Sequence, residues 1–183
     1  MTRHRSRWKR RSAIACLLAA LAFGSVFWAY GGMLAAPTWE SVQETIERDF
    51  PDVDHTSTGQ LAAWLEAGED VLLIDCRGAR EVAVSRIPEA LHLTSRPQVE
   101  QHLAGRDRPP DRIVVYCSVG WRSSRLAGQL TDAGLSPVLN LQGSIFMWVN
   151  EGRPLVDPRD RPVAKVHPWM RSWGRQLLKP GTF

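Results

Sequence analysis

The residues best suited to chemistry lie in one short stretch, CSVGWRS, from Cys117 to Ser123. It follows the β-branched run Ile113 to Tyr116 and leads into a segment with helical spacing of apolar residues. A cysteine at a strand-to-helix junction meets two influences. Backbone N–H groups of Ser118, Val119, Gly120, Trp121, Arg122 and Ser123 can curl around the sulfur, and the following helix turns its positive end toward it. Both favour the thiolate, the nucleophilic form. Gly120 permits the turn that such a cradle requires. Arg122 supplies a cation for an anionic substrate, or alternatively a surface ion pair. Trp121 lines the entrance or packs inward. The competing reading of Cys117 is a core cysteine buried like a valine, which would not call for a glycine and an arginine within the next five residues.

The surrounding elements follow from punctuation and period. Val71–Ile74 and Ile113–Tyr116 are unbroken apolar runs, as expected of strands covered on both faces. Shorter strands are predicted at Val53–Thr56, Ala90–Leu93 and Pro137–Leu141. Helices are predicted between them. Thr38 caps one that Pro51 ends; Ser57 and Gln60 read as a capping box with Gly68 as the stop. Others span Ala79–Val84, Ser95–Leu103, Ser123–Ala133 and Ile145–Asn150. Arg106 to Asp111 is a plain loop. Alternating strands and helices imply an α/β fold, a parallel sheet with helices on both faces. Ligand sites of such sheets lie beyond the carboxyl ends of the strands, which is where Cys117 falls.

Three segments in order resemble the rhodanese family of sulfurtransferases, in its single-domain form. VLLIDCRGAREVAVSRIPEALHL, Val71 to Leu93, is similar to the family's strand followed by Asp-x-Arg-x-x-x-Glu and Ile-Pro-x-Ala, matched by Asp75, Arg77, Glu81, Ile87, Pro88 and Ala90. CSVGWRSSRLAGQLTDAGL is similar to its active loop, C-x-x-G-x-R, and the helix after it. VLNLQGSIFMWVNEGRPL, Val138 to Leu155, is similar to its closing segment. Ser85-Arg86 departs from the usual Gly-His, and Gln142-Gly143-Ser144 from a Gly-Gly pair. The resemblance implies transfer of a sulfane sulfur through a Cys117 persulfide, from a donor such as thiosulfate to a thiol or cyanide. The alternative is a non-catalytic interaction or sulfur-carrier module at the membrane. Within the same resemblance Asp75 and Arg77 are supporting residues that hold loops around the site. Phosphatase and arsenate-reductase relatives carry C-x5-R; here the arginine comes one position earlier, and the narrower loop suits one bound sulfur atom. No metal or organic cofactor is called for, and no paired Cys or His spacing points to zinc. Cys76 reads as a strand-end thiol that packs like valine, with resolution of an oxidised Cys117 as its other possible use.

Charge and hydropathy place the rest. The net charge is +4, yet six Lys/Arg and no acid fall in the first eleven residues, so the remaining 17 basic and 19 acidic side chains nearly balance. No basic stripe suited to nucleic acid is left. Residues 1–11 read as a basic cytoplasmic segment and 12–36 as a transmembrane signal-anchor, since about 20 apolar residues at ~1.5 Å rise cross a bilayer core. Trp8 before the span, and Trp28 and Tyr30 at its far end, match interfacial belts. A cleaved signal peptide is the alternative. The expected organisation continues with an N-terminal helix at 37–52, the rhodanese-like domain at 53–156 and a tail at 157–183. That tail is read as a terminal helix packed on the domain, or else as a membrane-surface or docking segment. The domain is thereby expected on the periplasmic side of the inner membrane, or secreted or periplasmic after cleavage. Its expected partners are a small anionic sulfur donor, a thiol acceptor and the membrane.

Overall fold

The computed structural model describes residues 36–135 and 137–183. The basic segment, nearly all of the 12–36 span and Cys16 lie outside them. Among the described residues no helix is long and apolar enough to cross a membrane.

The chain alternates as expected. Helix α1 (Trp39–Asp49) is followed by β1 (His55–Thr56), α2 (Thr58–Glu66), β2 (Val71–Asp75), α3 (Ala79–Val82) and β3 (Leu91–His92). Then come α4 (Arg96–Ala104), β4 (Arg112–Tyr116), α5 (Trp121–Asp132), β5 (Val138–Leu141) and α6 (Ser144–Asn150). A short hairpin, β6 (Leu155–Val156) and β7 (Pro162–Val163), precedes the last helix, α7 (Arg171–Leu177). The main sheet has five strands in the order β1-β5-β4-β2-β3, all pairs parallel. Chain order runs outward from β4 to β5 on one side and from β2 to β3 on the other. The crevice at the carboxyl ends of β2 and β4 is therefore the topological switch point, where ligands of such sheets bind.

Both sheet faces are covered. Leu73, Val114 and Leu141 pack under α1, α2, α6 and the end of α7, among them Ile46, Leu61, Phe146 and Leu177. Leu72, Ile74, Ile113 and Val115 pack under Val99 of α4 and Leu126, Ala127 and Leu130 of α5. This is why the strands are nearly continuous apolar runs rather than alternating ones.

Three local details differ from expectation. The reciprocal capping box belongs to α1, where Thr38 and Ser41 each bond the other's backbone N–H; at α2 only Ser57 Oγ accepts, from Gln60 N at 3.0 Å. Helix α5 starts at Trp121, not Ser123, because Gly120 takes φ +121° and ends the loop there. The β6–β7 hairpin straddles residue 156, and the tail turns back onto the domain. Asn150 ties it down, donating to Leu177 O at 2.6 Å and accepting from Lys179 N at 2.8 Å. Leu177 and Leu178 at the end of α7 join the core.

Candidate active site

Cys117 follows β4 directly and is buried, 1 % exposed. Its Sγ accepts a hydrogen bond from Gly120 N–H at 3.2 Å. Burial pushes its thiol pKa up; the Arg122 charge, the Ser123 hydroxyl and the N–H groups of Gly120 and Ser123 outweigh it and bring the thiol below its ordinary value. The N-terminus of α5 adds its dipole.

The backbone that holds Cys117 is fixed from the neighbouring loop. Cys117 N–H donates to Ser144 Oγ at 3.1 Å, and that hydroxyl donates to Leu141 O at 3.0 Å. Ser144 takes φ +50°, an uncommon conformation for a residue with a Cβ. Gly143 before it also has positive φ, and a Cβ there would meet Met147 Cβ at 2.5 Å. The departure from a Gly-Gly pair thus brings a hydroxyl to the amide of the nucleophile.

Arg122 lies beside the thiol, and of its two expected uses, donor-binding cation or ion pair, the structure displays an ion pair. Its Nη1 and Nη2 form a fork on Glu81 at 2.7 and 2.8 Å, and Nη2 also reaches Ser118 Oγ at 2.9 Å. Glu81 further accepts from Gly78 N–H and from Ser118 Oγ–H. Burial raises the Glu81 pKa, but Arg122, the Gly78 N–H and Ser118 together hold it at about 2. The pair is locally neutral, so Arg122 orders the loop and biases the thiol while its charge is largely answered by Glu81. Bidentate geometry of this kind is among the stronger charge-assisted contacts.

The other loop side chains divide. Ser118 and Val119 point inward, the first to Glu81 and the second into the core. Both residues are buried. Trp121 is 39 % exposed at the rim, where its Nε1–H donates to Asp49 Oδ2 at 3.0 Å and its ring meets Phe50 edge-on. Ser123 and Ser124 hydroxyls both donate to Gly120 O. Beside the loop is a cavity of about 350 Å³, lined by Cys76, Thr94, Trp121, Arg122 and Arg125 among others. Trp169 of the tail stands 5.9 Å from the Arg122 guanidinium carbon.

Gly120 is closely packed as well. A Cβ there would sit 2.9 Å from Ile46 Cδ1 of α1, at a φ that side chains rarely adopt. Gly120→Ala is expected to displace the N–H that caps Sγ and to raise the Cys117 thiol pKa. The check is the pH dependence of iodoacetamide alkylation of Cys117; an unmoved profile would show that the cradle tolerates a side chain.

Asp75 and Arg77 are the supporting residues the sequence singled out. Both are fully buried. Arg77 Nη2 pairs with Asp75 Oδ2 at 2.7 Å, Nε with Oδ1 at 2.9 Å, and Nη2 also donates to Ser85 O at 2.6 Å. Tyr116, the residue before the nucleophile, donates its hydroxyl to Asp75 Oδ2 at 2.8 Å and accepts from Ile87 N–H. Burial and the Asp75 charge raise the Tyr116 pKa, which keeps the donated proton in place. Glu81, Tyr116 and Ser144 were given no role from sequence. Glu81 lay in a recognised motif, but its partner is 41 residues away.

Sheet, switch-point crevice and a buried thiol of lowered pKa at the end of a central strand describe an α/β protein that cradles a cysteine. Residues 57–151, about half the chain, match the rhodanese-like domain family. A sulfurtransferase from Allochromatium vinosum is 37% identical over 107 residues, covering 58% of this chain and 97% of that protein. A putative sulfurtransferase, YtwF, from Bacillus subtilis is 29% identical over 103 residues, with coverage of 56% and 97%. Among solved structures, thiosulfate sulfurtransferase from Pseudomonas aeruginosa superposes with a TM-score of 0.57 at 23% identity, over 64% of this chain and 22% of that one, a likeness of fold. The chain belongs to the rhodanese-like family, and its sulfurtransferase relatives support a role in sulfur transfer.

Proposed function

We propose that this protein is a sulfurtransferase working by double displacement through Cys117. The observation that carries the reading is the buried thiol with lowered pKa under the Gly120 N–H, in a loop one residue shorter than an oxyanion-sized cradle. The Cys117 thiolate attacks the outer sulfur of a donor such as thiosulfate. The S–S bond of the donor breaks, sulfite leaves, and a persulfide remains on Cys117. A thiol or cyanide then takes the outer sulfur and returns the thiolate. The loop N–H groups stabilise the anionic persulfide in the manner of an oxyanion hole. Retention of the cysteine in an activating environment favours this over a non-catalytic interaction module. The test is thiosulfate-dependent thiocyanate formation by the purified chain; no turnover with thiosulfate or any other sulfane donor would overturn the reading.

With Arg122 paired to Glu81, attraction of an anionic donor falls to Arg125. It is exposed, lines the same cavity, and makes no ion pair among the described residues. Arg125→Ala is expected to raise KM for thiosulfate about threefold to tenfold at low salt and to flatten its salt dependence, with kcat little changed, because a rim cation steers rather than reacts. An unchanged KM at low salt would place donor entry elsewhere.

The domain is further proposed to lie outside the cytoplasm, anchored or released by residues 12–36. The support is the charge asymmetry about that apolar stretch. An export-dependent reporter fused after Phe183 is expected to be active; an inactive fusion beside an active cytoplasmic control would overturn it.

A further inference from the structure

A second thiol stands beside the first. Asp75 and Tyr116 are register partners at the ends of β2 and β4, and Cys76 N–H donates to Tyr116 O at 3.0 Å, so pairing continues through the next position. That register brings Cys76 alongside Cys117. Side chains alternate along a strand, and residues in register on parallel neighbours share a face. Leu72, Ile74, Ile113 and Val115 lie on one face, and Cys76 packs against them; alternation directs Cys117, two residues after Val115, to the same face. Neighbouring strands run about 4.8 Å apart, inside the Cα separation of roughly 4.4–6.8 Å that a disulfide spans. Both cysteines are free here. Their exposure differs: Cys117 is buried, whereas Cys76 is partly exposed and lines the cavity.

We propose that Cys76 is the resolving thiol of Cys117, forming a reversible Cys76–Cys117 disulfide when the nucleophile is oxidised by a hydroperoxide. In the first step the Cys117 thiolate attacks the peroxide. The O–O bond breaks, an S–O bond forms, hydroxide or alkoxide leaves, and the sulfur is oxidised by two electrons to a sulfenic acid. Cys76 sulfur then attacks Cys117 Sγ. The S–S bond forms, the S–O bond breaks, and the hydroxyl departs with the Cys76 proton as water. A dithiol reductant restores both thiols and is itself oxidised to a disulfide.

The local electrostatics time the second step. Burial, then the negative charge of Cys117 and that of Asp75, hold the Cys76 thiol well above its ordinary pKa, so it stays protonated beside a working thiolate. A neutral sulfenic acid removes one of those charges, and Cys76 then ionises more readily. The second thiol is silent during transfer and engaged by oxidation.

The experiment treats the purified full chain with hydrogen peroxide, alkylates remaining thiols and maps peptides without reduction. The expected product is a Cys76–Cys117 linked pair, ~2 Da lighter than the two free peptides, as loss of two hydrogens requires. Dithiothreitol is expected to return Cys117 to its alkylatable form. In Cys76→Ser and, independently, Cys76→Ala, Cys117 is expected to pass to the sulfinic acid, about 32 Da heavier, which dithiothreitol does not reverse. A wild-type chain whose Cys117 reaches sulfinic acid as fast as in the variants, or pairs with Cys16 instead, would overturn the proposal. Persulfide loading from thiosulfate is read separately, so failure here leaves the sulfurtransferase reading intact, and the reverse holds as well.

Discussion

Cys117→Ser is expected to abolish sulfur transfer while leaving the fold in place. The hydroxyl is nearly isosteric with the thiol and can still accept from Gly120 N–H, so the loop survives. It stays protonated near neutral pH and cannot carry a transferable sulfane sulfur, so the chemistry does not. Intact mass after thiosulfate treatment reads this directly. Wild type is expected to gain ~32 Da, one sulfur per nucleophilic thiol, and Cys117→Ser none. Sulfur retained on the serine variant would move the site, most simply to Cys76. The pH profile gives a second readout. The reactive form is deprotonated, so persulfide formation should rise with pH through the Cys117 pKa and level off above it. Because that pKa is lowered, the plateau should come earlier than for an ordinary thiol at about 8.5. Removing the Arg122 charge should shift the profile upward, because that charge lowers the thiol pKa.

How far this site could be read from sequence depended on range. The strands Val71–Asp75 and Arg112–Tyr116 were legible because burial on both faces leaves an unbroken apolar run. The Cys117 loop was legible because its glycine and arginine sit within five residues of the thiol. The start of α5 was displaced by two residues, since Gly120 caps it by backbone conformation alone and no side-chain cap marks the place. The β6–β7 hairpin, two residues to a strand and holding a proline, carries no period long enough to see. What stayed hidden was the pairing. The partner of Arg122 was hidden because Glu81 is 41 residues earlier, and Ser144 looked like a local irregularity because the amide it serves is 27 residues before it. Spacing reports neighbours within an element; the sheet register supplies the rest, including the adjacency of Cys76 and Cys117.

The largest effect on stability is expected from Arg77. Its guanidinium and the Asp75 carboxylate are both fully buried, and Asp75 also accepts from Tyr116, so two side chains share one carboxylate under the site. A buried pair adds little over well-packed apolar residues, but removing one partner strands the other's charge without solvent, which costs about 3–5 kcal/mol. Arg77→Met, which keeps much of the volume, is therefore expected to lower stability by that amount in urea titration. Tyr116→Phe removes the hydrogen bond to the carboxylate and the acceptor of Ile87 N–H but leaves Asp75 paired with Arg77, so a loss of at least about 1.5–3 kcal/mol is expected. The double variant Asp75→Leu with Arg77→Met should recover part of the single-variant loss, because no charge is then left alone. Activity should fall with Arg77→Met even under conditions where it stays folded, since Tyr116 directly precedes Cys117 and its hydroxyl is fixed by Asp75. A loss below about 1 kcal/mol for Arg77→Met would mean that water reaches Asp75 in the variant. The carboxylate would then not be the buried anchor that holds the end of β4, and with it the nucleophile, in place.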